Sequence, residues 1–295
     1  MTAHGAERQD GAAAPPAGTL ERGTIPRPIP RRDPDTHKGT YGRFLLVAGS
    51  DGMPGAAILA ARGALRAGAG LIYAAIPSSI AASLGAAVPE AVQVWARESW
   101  SPPADLDPTA AAVGPGLTRD RRARSLVEFC LARFDRPVVV DADALNIVSE
   151  TPDLTRAHRP DRIWTPHPGE FERLTGERPR GDAQRAEAAA RFVRRFGGVL
   201  VLKGHRTVVA DGSHLYVNTT GNPGMATAGA GDVLTGILGA LLAQGLPPFD
   251  AASLGVYLHG LAGDLAASRL GETSLIASDI VEHLPAAILQ HQRAP

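Results

Sequence analysis

From residue 43 onward, short β-branched or aliphatic runs alternate with longer alanine-rich segments, and this rhythm restricts the chain to a largely parallel sheet covered by helices. Strands are expected at 44–48, 71–76, 91–96, 110–113, 138–141, 162–164 and 199–202. The runs 207–210 and 214–217 flank Asp211-Gly212, a two-residue hairpin signal, which predicts an antiparallel edge. Helical periodicity predicts helices at 56–67, 119–134, 168–175, 183–196, 231–243, 251–269 and 277–289. No internal repeat or linker interrupts the pattern, so 35–295 reads as one α/β domain. Residues 1–34, rich in Ala, Gly, Pro and Arg without periodicity, read as a flexible lead-in.

Composition narrows the function classes. Hydrophobic residues make up 44% of the 295 but aromatic ones only 5%, so the core must be aliphatic. Thirty basic residues balance thirty acidic ones, and nothing in the overall charge points to a nucleic-acid partner. The densest basic stretches, 121–124 and 191–195, fall within helical periodicity and read as solvated helix faces. Cys130 is the single cysteine, which excludes intrachain disulfides and cysteine metal clusters, and its apolar neighbours make it a core residue. The N-terminus has no apolar signal core, and no apolar run approaches a membrane span. A soluble, cytoplasmic protein without a membrane partner is therefore expected.

The unusual residues all follow strands. Gly49-Ser50-Asp51-Gly52, Gly114-Pro115-Gly116, the run 141–146 (DADALN), the run 165–170 (TPHPGE) and Lys203-Gly204-His205 each sit at the carboxyl end of an expected strand. In open α/β sheets that edge is where ligands bind, because loops and helix N-termini converge there. Beside these five stands the segment 221–236, GNPGMATAGAGDVLTG, which places Asp232 directly after a glycine-rich turn at the start of an apolar helix. Exposed N–H groups at such a turn attract phosphate oxyanions. The helix terminus is expected to keep Asp232 ionised, so that it can take a proton from an attacking hydroxyl. The plain alternative is a first-turn acid that merely suits the helix dipole. No G-x-x-x-x-G-K-[ST] occurs, and Gly49, Gly52 and Gly55 do not match the G-x-G-x-x-G dinucleotide spacing.

Set side by side, these segments carry a resemblance. G-A-G-D at 229–232 resembles the anion hole and catalytic Asp of the ribokinase-like superfamily. HKGTYGRFLLVAGSDGMPGAA at 37–57, GPG at 114–116, VVVDADALN at 138–146, TPHPGEFERLTG at 165–176, VLKGHRTVV at 201–209 and NPGMATAGAGDVLTG at 222–236 look, in that order, like the ADP-dependent NAD(P)H-hydrate dehydratases. The likeness runs from about His37 to about Leu284. It implies a ribokinase-like three-layer α/β/α sandwich with a mostly parallel central sheet. It also implies ADP-dependent dehydration of the S-form of hydrated NADH or NADPH (NADHX, NADPHX) back to NAD(P)H, with release of AMP and phosphate. ADP would be the co-substrate and Mg²⁺ the cofactor.

By the same resemblance, Asp232 is the catalytic base; Ala57, Gly116, His167 and Asp232 hold the hydrated dinucleotide; and Lys203, Gly204, His205, Arg206, Thr207, Ala230 and Gly231 hold the nucleotide. Glu170 reads either as an indirect contact to Mg²⁺ through water or as an ordinary first-turn acid, and Asp143 and Asn146 either as supports of the site or as helix caps. Sugar and vitamin kinases of the superfamily resemble this chain at T-P-N-x-x-E, with Asn where His167 stands, and the histidine favours the dehydratase branch. The alternatives are a kinase of a small alcohol or vitamin precursor, and a nucleotide-binding regulatory module without turnover. A homotetramer is expected from the family. Many relatives carry an epimerase domain ahead of this one; 35 residues precede Thr36 here, too few for such a domain, so a separate NAD(P)HX epimerase is expected.

Overall fold

The computed structural model describes residues 21–22, 29, 32–98, 100–155 and 159–293. Most of the expected lead-in 1–34 lies outside them. The described part includes a two-residue strand, β1 (Glu21–Arg22), which was not anticipated. The chain continues through β2 (Arg43–Val47), α1 (Pro54–Arg66), β3 (Leu71–Ile76), α2 (Ala81–Ala87), β4 (Val92–Trp95) and β5 (Ala110–Val113). Then come α3 (Arg121–Glu128), β6 (Val138–Val140), α4 (Ala142–Glu150), β7 (Arg162–Trp164), α5 (Pro168–Thr175) and α6 (Gly181–Phe196). Strands β8 (Val199–Leu202), β9 (Val208–Ala210) and β10 (His214–Val217) precede α7 (Ala230–Ala243), α8 (Pro248–Leu270) and α9 (Ala277–Arg293).

One ten-stranded sheet runs in the order β1-β10-β9-β8-β7-β6-β5-β2-β3-β4. Every pairing from β8 through β4 is parallel, while β9 is antiparallel to both neighbours. The Asp211-Gly212 hairpin thus forms the antiparallel edge its sequence signals. It is not the last pairing, because β1 adds in parallel to β10.

Strand alternation divides the core into two layers. Phe44, Leu46 and Ala48 point to the side covered by α1, α7, α8 and α9, and Leu45 and Val47 to the side covered by α3, α4, α5 and α6. The result is a three-layer α/β/α sandwich whose core is mainly aliphatic, although the second layer also buries a packed aromatic group, Trp164, Phe171, Phe192 and Phe196. Cys130 is buried in the second layer, and burial pushes its thiol up to about 12, which makes it inert. Helix α7, nearly all of it buried, is wedged between the sheet and α1. The wedge needs glycine: a Cβ on Gly236 would fall 1.9 Å from the carbonyl oxygen of Ala60 on α1. Gly236→Ala should therefore destabilise the fold by about 1–3 kcal/mol, the usual range for overpacking, as read from the urea midpoint. An unchanged midpoint would mean that α1 and α7 are free to move apart.

Candidate active site

The strand order reverses between β2 and β5. After β2 the chain builds outward through β3 and β4, and after β5 it builds the other way through β6, β7 and β8. The crevice beyond the carboxyl ends at such a switch point is the natural ligand site of an open α/β sheet. The glycine-rich turns that follow these strands are laced together there: Gly49 N–H donates to Pro115 O at 2.8 Å, and Gly114 N–H to Val47 O at 3.2 Å. Gly116 lies in the second turn, where a Cβ would sit 2.8 Å from that of Ala56. Ala57 is fully buried, its Cβ facing Gly49, so its small size lets α1 approach the first turn.

At the bottom of this edge lies Asp141, directly after β6 and 1% exposed. Its Oδ1 accepts from Thr165 Oγ1 and from Lys203 Nζ, both at 2.7 Å, and its Oδ2 from Thr235 Oγ1 at 2.7 Å. One carboxylate thus joins the ends of β6, β7 and β8 to helix α7. Burial opposes its charge, but Lys203 and the two hydroxyls outweigh that and hold its pKa below the ordinary value. The sequence reading passed over Asp141 as a site residue. Asp143 and Asn146, expected either to support the site or to cap a helix, cap none: the residue at the N-terminal cap of α4 is Asp141. Asp143 accepts from Thr118 N–H at 2.8 Å, which braces the turn after β5, and Asn146 Oδ1 from Arg173 Nε at 2.9 Å, which ties α4 to α5.

Helix α7 opens on Gly229, whose φ of 88° is left-handed and which provides no side-chain cap. Ala230 N–H reaches Thr227 O at 3.4 Å. Among the described residues nothing accepts from the N–H groups of Gly231 or Asp232, so two donors point outward with the helix dipole behind them. A Cβ on Gly231 would lie 3.5 Å from Lys203 Nζ, which brings the lysine ammonium to the same turn. Asp232, in this first helical turn, is only partly exposed. Contrary to expectation, its carboxyl is not held ionised. Burial chiefly, then the charges of Asp141, Asp143 and Glu170, push it up to about 7 despite Lys203.

His167 and Glu170 form a reciprocal cap at the start of α5. His167 Nδ1 accepts from the N–H groups of Gly169 and Glu170 at 3.0 and 3.3 Å, and Glu170 Oε2 accepts from His167 N–H at 2.8 Å. Burial, Lys203 and Arg173 lower the imidazole pKa, so the ring is neutral with its proton on Nε2. That nitrogen lies 3.5 Å from Glu170 Oε1, and the side chain is half exposed. Glu170 is buried 3.9 Å from Lys203 Nζ, and burial raises its pKa to about 7.

The loop after β8 is shaped by a residue the sequence reading did not single out. Arg185 of α6 donates to the carbonyls of Leu202, Lys203, His205 and Arg206, and Thr207 Oγ1 donates to that of Gly204 at 2.9 Å. With the carbonyls turned inward, the N–H groups of Gly204, His205 and Arg206 have no acceptor among the described residues. The structure therefore brings Lys203, Gly231, Asp232, His167 and Glu170 around Asp141, with the 203–207 loop beside them. No group of three or more His, Cys, Asp or Glu able to cage a metal occurs among the described residues.

This sheet, with a helix start of unpaired N–H groups at its ligand edge, is of the ribokinase-like kind. The profile of the NAD(P)H-hydrate dehydratase family matches residues 44–286, and the chain belongs to that family. It is 47% identical over 275 residues to the bifunctional NAD(P)H-hydrate repair enzyme of Moorella thermoacetica, covering 87% of this chain and 51% of the other. The chain thus spans about half the length of the bifunctional relatives it matches. It is 42% identical over 264 residues to the ADP-dependent (S)-NAD(P)H-hydrate dehydratase of Neisseria meningitidis, covering 87% of this chain and 88% of that one. The crystal structure of the ADP/ATP-dependent NAD(P)H-hydrate dehydratase of Bacillus subtilis, co-crystallised with ATP and Mg²⁺, superposes with a TM-score of 0.80 at 34% identity, covering 90% and 95% of the two chains.

Removing Asp141 should expose how much rests on it. Asp141→Asn leaves the Lys203 ammonium without its close partner and should cost about 3–5 kcal/mol in urea unfolding, with part regained in the double variant that adds Lys203→Met. Because the Asp141 pKa is lowered on folding, its contribution is present above the unfolded value and is lost as pH falls below about 4. Additive losses in the double variant would contradict the coupling.

Proposed function

We propose that this protein is an ADP-dependent hydro-lyase that returns hydrated NADH or NADPH to NAD(P)H and releases AMP and phosphate. The observation that carries the reading is a carboxyl with pKa near 7, Asp232, in the same helical turn as two outward N–H donors and beside the Lys203 ammonium. Hydroxide is a poor leaving group from the hydrated ring, and phosphate is a good one. Asp232 takes the proton of the ring hydroxyl as that oxygen attacks the terminal phosphorus of ADP. The bond from that phosphorus to the bridging oxygen breaks, and AMP leaves. The ring nitrogen lone pair then expels phosphate, and loss of a proton from the adjacent ring carbon restores the double bond. The N–H groups of Gly231 and Asp232 stabilise charge on the phosphoryl group in transit.

Lys203, Gly204, His205, Arg206, Thr207, Ala230 and Gly231 are assigned to the nucleotide. Lys203 acts from beneath, through its Asp141 pair, and the free N–H groups of the 204–206 loop offer phosphate contacts. His167, whose side chain is half exposed, Gly116 in the second switch-point turn and Ala57, whose small size lets α1 pack against the first, are assigned to the hydrated dinucleotide. These residues suit Mg²⁺ only as a companion of the nucleotide phosphates, with Glu170 in contact through water. So bound, the ion would add charge neutralisation to the transfer. A homotetramer belongs to this proposal, to be tested by light scattering. Among the described residues no helix is long and apolar enough to cross a membrane.

The test is recovery of reduced-nicotinamide absorbance from hydrated NADH with Mg²⁺ and either ADP or ATP. Recovery should require the nucleotide and fall by a factor of about 10²–10⁴ in Asp232→Asn. A stable phosphate ester instead of reduced nicotinamide would assign the chain to the small-alcohol kinases. Thermal stabilisation by nucleotide with no product at all would make it a binding module.

The pH profile follows from the raised carboxyls. Asp232 must be ionised to act as a base, so kcat/KM should rise with pH and level off above about 7. Stability should run the other way, declining between about pH 4 and about pH 7 as Asp232 and Glu170 ionise in the fold. A kcat/KM that is flat from pH 5 to pH 8 would remove Asp232 from this role.

A further inference from the structure

We infer that His259, on α8, is a positioning residue that aims the anion hole at the start of α7, an inference that rests on assigning that turn to the phosphoryl group in transit. His259 Nε2 lies 2.9 Å from the carbonyl oxygen of Ala230. A carbonyl only accepts, so Nε2 carries the proton and donates it. Burial lowers the imidazole pKa to about 4, which leaves the neutral ring with one proton, committed to this bond.

The carbonyl of Ala230 and the N–H of Gly231 belong to one planar trans peptide unit and point in opposite directions. Holding the carbonyl therefore aims the N–H. Gly231 N–H is one of the two donors at this turn without an internal acceptor. A donor on the carbonyl also polarises the amide and strengthens the hydrogen bond its N–H can give. Both effects matter most when charge builds on the phosphoryl oxygens, in the transition state.

The same helix fixes the other end of the glycine-rich segment. Asp264 Oδ2 accepts from Gly221 N–H and Asp264 Oδ1 from Asn222 Nδ2, each at 2.9 Å. Just ahead of the segment, Thr220 Oγ1 donates to Tyr257 O at 2.9 Å, and between the two anchors Met225 packs so closely that a Cβ on Gly263 would fall 2.2 Å from its Sδ. Helix α8 is thus a rigid rail beneath residues 220–230, with His259 as its polar contact at the reacting end.

A histidine that only filled space would be replaced well by leucine, whereas a positioning histidine needs its N–H. The experiment compares His259→Leu, His259→Gln and His259→Asn for kcat and for KM of ADP, with thermal midpoints recorded. Leu should lower kcat about tenfold or more, with KM for ADP changed less than about threefold. Gln, whose amide N–H reaches as far as Nε2, should restore most of kcat, and the shorter Asn should not. Wild-type kcat in His259→Leu, a loss confined to KM, or Gln no better than Leu would overturn the inference. If the Leu variant does not fold, the Gln and Asn pair decides, and equal kcat in the two overturns it. Asp232→Asn runs in parallel: activity there sinks the site assignment itself, whereas an inactive Asp232→Asn beside an unimpaired His259→Leu sinks only the role of His259.

Discussion

At the centre of the ligand edge a carboxylate shielded from water holds four pieces of chain in register. Asp141 joins β6 to the Thr165 hydroxyl after β7, the Lys203 ammonium after β8 and the Thr235 hydroxyl of α7. Isolated, such a charge would cost several kcal/mol to bury, so the carboxylate is accommodated only with its three partners in place. That constraint fixes where α7 begins relative to the sheet. It therefore fixes Gly231 and Asp232, which open the same helix. The two turns at the β2/β5 switch point and the 203–207 loop then frame the space in front of them.

The arrangement carries a built-in conflict. Three carboxyls, Asp141, Glu170 and Asp232, share the single ammonium of Lys203, which Asp141 holds most closely. Asp141 is kept ionised, and the other two are raised to about 7. A carboxyl poised near neutrality is a better proton acceptor than an ordinary aspartate, at the expense of stability. The backbone adds local strain: Ala142, directly after Asp141, has a φ of 51°, which costs on the order of 1–3 kcal/mol for a non-glycine residue. It persists because the bonds on either side determine it.

Much of this was legible in sequence, and the reason is locality. Strand runs, the Asp211-Gly212 hairpin and the placement of G-A-G-D at a helix start are short-range patterns, and the nine strands expected from residue 43 onward, along with all seven expected helices, lie close to where the structure puts them. Helix α2 was missed because seven residues rich in Ala, Ser and Gly show little periodicity. Helix α4 was missed because it begins immediately at a strand end, through a left-handed alanine that no propensity anticipates. The site's supporting residues were illegible for another reason. Asp141 meets Thr235 across 94 residues, and His259 meets Ala230 across 29, pairings that only the fold creates. The ionisation of Asp232 was misjudged in the same way. A helix start favours the anion, but burial and three other carboxylates, brought near by topology, outweigh it.

The central claim is that the ring oxygen of the hydrate becomes a phosphate oxygen before it leaves. Hydrated NADH prepared in ¹⁸O-water carries the label in its ring hydroxyl, and mass spectrometry of the products after turnover with ADP follows it directly. The account predicts ¹⁸O in the released inorganic phosphate and none in AMP. Label recovered in bulk water with unlabelled phosphate would contradict it, because the hydroxyl would then have departed without ever bonding to phosphorus.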